Sequence, residues 1–211
     1  MEKNPNDIVI VSGARTAVAK FGGSLKGVSA IEMGALVVAE AVKRAGIDPA
    51  VVDECIIGQV GSWGENGFLA RSISLKAGLP NETCAYSVNR QCGSGLQSIV
   101  DGIMEIQTGA AEVVVAGGSE NLSQLPYYVP SARWGARMGH KQFEDGVIDI
   151  LTWPLDMSHN GVTAENVAKK YNVTREEQDA FAATSQQRAC AAVDAGVFKD
   201  EIVPVELKDR K

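Results

Sequence analysis

The sequence predicts an α/β fold, a parallel or mostly parallel sheet with helices on its faces, and three observations along its 211 residues predict it. Short apolar runs of strand length alternate with longer segments at helical spacing. Capping signals open the helical segments, and glycines close them. Clusters such as Gly22-Gly23 and Gly117-Gly118 mark tight backbone turns between elements.

In order, residues 8–11 form an apolar run closed by Ser12-Gly13, which reads as a buried strand and a turn. Ser29 and Glu32 make a capping box, and Ile31, Ala35, Val38, Val42 and Ala45 follow at helical spacing until Gly46. Residues 54–60 are the next strand, and 69–77 a second helix ended by Gly78 and Pro80. Residues 84–88 give a third strand, 93–107 a third helix, and 113–116 a fourth strand closed by a double glycine. Leu96, Ile99, Val100 and Ile103 are expected to anchor the third helix in the core.

Beyond Gly118 the texture changes. Residues 121–143 are rich in Pro, Tyr, Trp, Arg and Gly with no sustained period, so a boundary is expected near Glu120, dividing a sheet domain, 1–120, from a loop subdomain, 121–211. Two helical segments follow. The second opens with Thr174 and Glu177 as another capping box, carries Phe181, Ala182, Ser185, Ala189, Ala192 and Val193 on one side, and ends at Gly196. A last strand is expected over 202–207.

Composition narrows the class of function. Hydrophobic residues make up 45% and charged residues 22%, which excludes a disordered or fibrous chain and leaves enough apolar surface for a sizeable core. A net charge of -6 with no basic stripe argues against nucleic acid as a partner. No apolar stretch of membrane-spanning length and no signal-peptide core is present, so no membrane is expected and the cytoplasm is the default compartment. Cys55, Cys84, Cys92 and Cys190 form no C-x-x-C pair and have no His at zinc spacing, so free thiols are expected and no metal.

The informative stretch is Asn89-Arg90-Gln91-Cys92-Gly93-Ser94-Gly95-Leu96, between a predicted strand and a predicted helix. A thiol at a helix start faces unpaired backbone N–H groups and the positive end of the helix dipole, and both favour the thiolate nucleophile. Gly93 and Gly95 remove side chains beside the sulfur, which lets a bulky substrate approach. The other three cysteines, Cys55, Cys84 and Cys190, read as small buried hydrophobes.

This motif resembles the active-site segment of thiolases, and the likeness extends along the chain. Ser12-Gly13-Ala14-Arg15-Thr16 with Lys20-Phe21-Gly22-Gly23-Ser24-Leu25, the Ala116-Gly117-Gly118-Ser119-Glu120 turn, and Gly161-Val162-Thr163-Ala164-Glu165-Asn166-Val167-Ala168 resemble family signatures in the same order. So do Ser185-Gln186 and Glu201-Ile202-Val203-Pro204-Val205. The resemblance implies thiolase-like α/β/α layers around a mixed, mostly parallel sheet with an inserted loop subdomain.

The resemblance also implies an activity. Cys92 would take an acyl group from an acyl-CoA and pass it to the carbanion of acetyl-CoA, or run the reverse thiolysis, with its backbone N–H as an oxyanion donor. Coenzyme A thioesters are then substrates, and no cofactor is implied. His159 falls where the family lines the pantetheine pocket, Leu151 where an apolar residue touches CoA, and Gly93 beside the nucleophile. Asn160 departs from the family's usual Met, which leaves substrate choice open. Arg133, Arg137, His140 and Lys141 read from the residues alone as a solvated basic loop or a site for CoA phosphates; the family places its assembly loop there, implying a homodimer or homotetramer. Glu120 is expected to hold the active-site turn rather than react.

The family's Gly-His-Pro base, its Asn-Glu-Ala-Phe segment and its second Cys are absent from these residues, and so is the strand that would separate the first from the fourth. A C-terminal half of the same polypeptide is therefore the expected partner, and 1–211 alone is expected to be inactive. Other readings are a decarboxylating β-ketoacyl synthase relative, and a non-catalytic thiolase-like subunit or CoA-binding module. A dinucleotide-binding enzyme lacks its glycine fingerprint here.

Overall fold

The computed structural model describes residues 7–207; the outer ends of both expected domains lie outside the described residues. The chain divides into two units, one running to Leu125 and resuming at Glu201, the other Pro126–Asp200. The division thus falls a little beyond Glu120, and the chain returns to its first unit.

The first unit is built on three parallel strands, β1 (Glu54–Gly58), β2 (Cys84–Val88) and β3 (Val114–Gly118), with β1 in the middle. Helix α1 (Ala30–Ala45) begins at the foreseen capping box, where Ser29 accepts from the Glu32 N–H, and stops at Gly46, whose left-handed backbone (φ 68°) suits a residue without Cβ. Ala30, Val38 and Val42 of α1 join Leu69, Ala70 and Ile73 of α2 (Leu69–Lys76) over Cys55 and Ile57, forming one apolar cluster on a single face of the sheet. Alternation along β1 turns Ile56 and Gly58 to the opposite face.

Helix α3 (Ser94–Thr108) covers that opposite face by other means. The residues it buries are Ser94, Ser98 and Gly102, while Leu96, Val100, Ile103 and Met104 are exposed. The expectation that Leu96, Val100 and Ile103 anchor this helix is not met among the described residues: small residues bring the helix backbone against the strands, and the apolar stripe lies on the side away from the sheet. A Cβ on Gly102 would lie 2.9 Å from Val114 Cγ1, so the helix packs close.

The expected first strand is also corrected. Residues 8–11 belong to no strand, and Val9, Ile10 and Val11 are exposed, because a strand exists only where neighbours supply ladder partners. The expected last strand shrinks to one parallel bridge between Arg15 and Ile202, reinforced by an Arg15–Glu201 ion pair at 2.9 Å.

In the second unit, β4 (Tyr127–Tyr128) pairs antiparallel with β5 (Glu144–Asp145), and β6 (Thr152–Trp153) with β7 (Ser158–His159). Helix α4 (Gly146–Ile150) and the β6–β7 hairpin were not foreseen. Helix α5 (Asn160–Tyr171) starts where the sequence placed it, and α6 (Arg175–Asp194) opens with the foreseen capping box at Thr174 and Glu177. The apolar side expected of α6 is not buried: no residue of the helix is.

Candidate active site

Cys92 lies in the turn between β2 and α3, two residues before the first helical residue, and its thiol is free and exposed. Among the described residues nothing accepts a hydrogen bond from its backbone N–H. The turn before it is closely held. Asn89 Oδ1 accepts from the Gln91 N–H at 2.9 Å, Ser94 Oγ donates to the Gln91 carbonyl at 2.6 Å, and Ser94 Oγ accepts from the Arg90 N–H at 2.9 Å. These bonds hold Gln91 at φ 51°, a left-handed conformation that a residue with a Cβ adopts only when its surroundings impose it. The resulting sharp bend presents the next residue, Cys92, to solvent at a helix start. Of the other three cysteines, all expected to be buried, Cys84 and Cys190 are exposed and Cys55 alone is buried; burial, with a smaller push from the Glu54 carboxylate, raises the Cys55 thiol to about 12.

The helix start is seated by glycines that sequence reasoning passed over. A Cβ on Gly58 would come within 2.4 Å of the Ser94 carbonyl carbon and 2.5 Å of the Gly95 nitrogen, so only glycine at the end of β1 lets α3 begin there. Ser98 Oγ lies 2.8 Å from the carbonyl oxygens of both Gly95 and Gly117, tying the first turn of α3 to β3. Gly95 leaves open space instead, since a Cβ there would meet nothing within 4 Å, whereas one on Gly93 would make ordinary contact with the Arg90 carbonyl oxygen at 3.4 Å. Glu120 directs its carboxylate at the Val60 and Gly61 N–H groups, 2.8 and 3.3 Å away. A cavity of about 450 Å³ bordered by Arg15, Lys20, Phe21, Met33 and Asn121 reaches Glu120 but does not include Cys92.

In the second unit the three residues marked by resemblance come together. His159 caps α5, its Nδ1 accepting from the Gly161 N–H at 3.0 Å, which leaves Nε2 as the ring nitrogen able to donate. Asn160 donates its N–H to the Leu151 carbonyl at 2.9 Å, and His159 pairs with Thr152 across the β6–β7 hairpin. Arg133, Arg137 and His140 lie apart from these, on an exposed stretch where Trp134, Met138 and Phe143 also face solvent. No group of three His, Cys, Asp or Glu among the described residues could hold a metal ion, and none of their helices is long and apolar enough to cross a membrane.

An exposed cysteine at the start of a helix seated on a parallel sheet defines an α/β domain with an accessible thiol, and the comparisons narrow the class. The family described as "Thiolase, N-terminal domain" matches residues 8–211, and the chain belongs to the thiolase family. It is 49% identical over 206 residues to an acetyl-CoA acetyltransferase of Pseudomonas aeruginosa, covering 97% of this chain and 52% of that protein. It is 46% identical to a beta-ketothiolase of Cupriavidus necator, at the same coverage. The crystal structure of the Bacillus anthracis acetyl-CoA acetyltransferase superposes with a TM-score of 0.93 at 42% identity, over 96% of this chain and 52% of that one. The α/β fold and the family expected from the motifs are thus established, and the chain spans about half the length of the relatives it matches.

Proposed function

We propose that the chain is the N-terminal half of an acyl-CoA C-acyltransferase and that Cys92 is its nucleophile. The observation that carries this reading is the bend at Gln91, after which the Cys92 thiol is exposed at a helix start and its backbone N–H meets no acceptor among the described residues. Cys92 Sγ attacks the thioester carbonyl of an acyl-CoA; the carbon–sulfur bond to CoA breaks, and CoA leaves as the thiol with the proton Cys92 gives up. The Cys92 N–H donates to the oxyanion that forms on the way. The carbanion of acetyl-CoA then attacks the acyl-enzyme carbonyl, giving acetoacetyl-CoA when the acyl group is acetyl, and the Cys92 thiolate departs. Thiolysis is the same path reversed.

A C-terminal half supplies the base and the second thiol that these steps require, so residues 1–211 alone do not turn over. His159, through its Nε2–H, and the neighbouring Leu151 and Asn160 receive the pantetheine arm, and Gly93 keeps the space beside Cys92 open. The stretch with Arg133, Arg137 and His140 serves assembly into a homodimer or homotetramer; its exposed Trp134, Met138 and Phe143 support that role. The four free cysteines support a cytoplasmic setting.

The test is acylation. Protein carrying both halves, incubated with acetyl-CoA, is expected to gain the mass of one acetyl group on the Cys92 peptide, and the gain should vanish in Cys92→Ser. Label on Cys84 or Cys190 instead, or CoA binding with no label, defeats the reading.

A further inference from the structure

Glu120 lies just past β3, away from the Cys92 turn in sequence, and both its carboxylate oxygens face backbone. Oε2 accepts from the Val60 N–H at 2.8 Å and Oε1 from the Gly61 N–H at 3.3 Å. The far side of the same short segment is held as well: the Gly61 carbonyl accepts from Gln59 Nε2 at 2.7 Å and from Asn66 Nδ2 at 3.3 Å. Position 61 leaves no room for slack, since a Cβ there would come within 2.5 Å of Leu125 Cδ2 and 3.1 Å of Glu120 Oε1. The segment so fixed is where the nucleophile turn is anchored. Asn89 Nδ2 donates to the Val60 carbonyl at 3.4 Å, and the Oδ1 of the same amide holds the Gln91 N–H and with it the left-handed bend before Cys92.

We propose that Glu120 is a positioning residue: through the backbone of Val60 and Gly61 and the side chain of Asn89, it fixes the turn that presents Cys92, without touching the substrate. A charged acceptor makes stronger bonds to N–H groups than a neutral one, so a carboxylate suits a task that sets two peptide groups at once. Without it the Val60 carbonyl can rotate, Asn89 loses its anchor, and Gln91 can relax to an unstrained conformation that moves the sulfur. The proposal rests on Cys92 being the nucleophile.

Brief alkylation of the full chain with iodoacetamide, resolved peptide by peptide by mass spectrometry, tests it, because this chemistry needs neither coenzyme A nor a C-terminal half. Cys84 and Cys190 are exposed and serve as controls for general reactivity, and buried Cys55 reports any opening of the core. Glu120→Ala is expected to slow Cys92 about 10-fold, less than the roughly 100-fold that misplacing a reacting group can cost in catalysis, with Cys84 and Cys190 within about 2-fold and Cys55 unlabelled. Glu120→Gln keeps an oxygen for the Val60 N–H and should recover most of the rate. An unchanged Cys92 rate in Glu120→Ala, or a rate in Glu120→Gln as low as in Glu120→Ala, overturns the proposal. Should Glu120→Ala expose Cys55, Asn89→Ala and Gly61→Ala decide, since they break the relay at other links; normal Cys92 labelling in both overturns it. An unchanged Cys92 rate in Glu120→Ala with acetyl transfer to Cys92 intact would overturn the positioning role and leave the enzymatic reading standing; a Glu120 effect with no acetyl transfer to Cys92 would defeat the enzymatic reading and, with it, the catalytic purpose of the positioning.

Discussion

On one face of the three-stranded sheet, Cys55 and Ile57 meet the side chains of Val38, Val42, Leu69 and Ile73. On the other, beyond the buried Ile56, Gly58 and Gly118 meet the backbone of α3 at its first turn, and Ser94, Ser98 and Gly102 are the residues the helix buries. The first face is ordinary apolar packing, in which area removed from water stabilises the fold. The second gives up that burial for proximity. Small residues let the start of α3 sit directly on the ends of β1 and β3, which sets where Cys92 stands. One face therefore holds the unit together, and the other aims the site.

Substitutions that separate these two jobs test the contrast. Ile73→Ala empties a fully buried position of the apolar face and should lower unfolding stability by about 2–5 kcal/mol in a denaturant titration, while the Cys92 alkylation rate below the transition stays the same. A change in Cys92 reactivity there would mean that the faces are not independent. Gly58→Ala is the counterpart. Its methyl group meets backbone rather than a movable side-chain end, so α3 must shift, at about 1–3 kcal/mol by the usual scale of overpacking. The smaller stability loss should come with a clear change in Cys92 alkylation. Stability lost without that change would show that the seat of α3 does not aim the thiol.

How much of this was legible in the sequence follows the same division. The capping box at Ser29 and Glu32, the apolar runs of β1 and β3 and the glycine after α1 are local signals, and each element lies where they put it. Thr174 and Glu177 show the limit of such signals: the same box opens α6, yet none of that helix is buried, because a cap starts a helix without providing a surface to pack on. Residues 8–11 failed for a related reason, since apolar character alone supplies no strand neighbour. The site was legible as far as Cys92 at a helix start. The bend at Gln91 and the seat at Gly58 were not, because a left-handed glutamine and a glycine against a helix backbone are consequences of tertiary approach. Asn89 two residues before Gln91 was the available hint, an Asx-type turn signal.

The smallest predicted effect addresses α3 directly. Leu96, Val100, Ile103 and Met104 carry the spacing of a buried stripe, and the spacing alone argues that replacing Leu96 should hurt. The observed exposure argues otherwise: Leu96 is 69% accessible, so Leu96→Ser removes little apolar area that folding had hidden. In this chain the change should stay within about 0.5 kcal/mol, the range of surface substitutions, and should reduce self-association by shrinking an exposed apolar patch. Sedimentation and a denaturant titration of the same sample give both readings. A loss approaching that of Ile73→Ala would mean that the stripe is buried after all, and that α3 is held by apolar packing like its counterparts across the sheet. The contrast between an aiming face and a holding face would then fail, since the close seat at Gly58 would be a by-product of packing rather than the reason the helix turns its small residues inward.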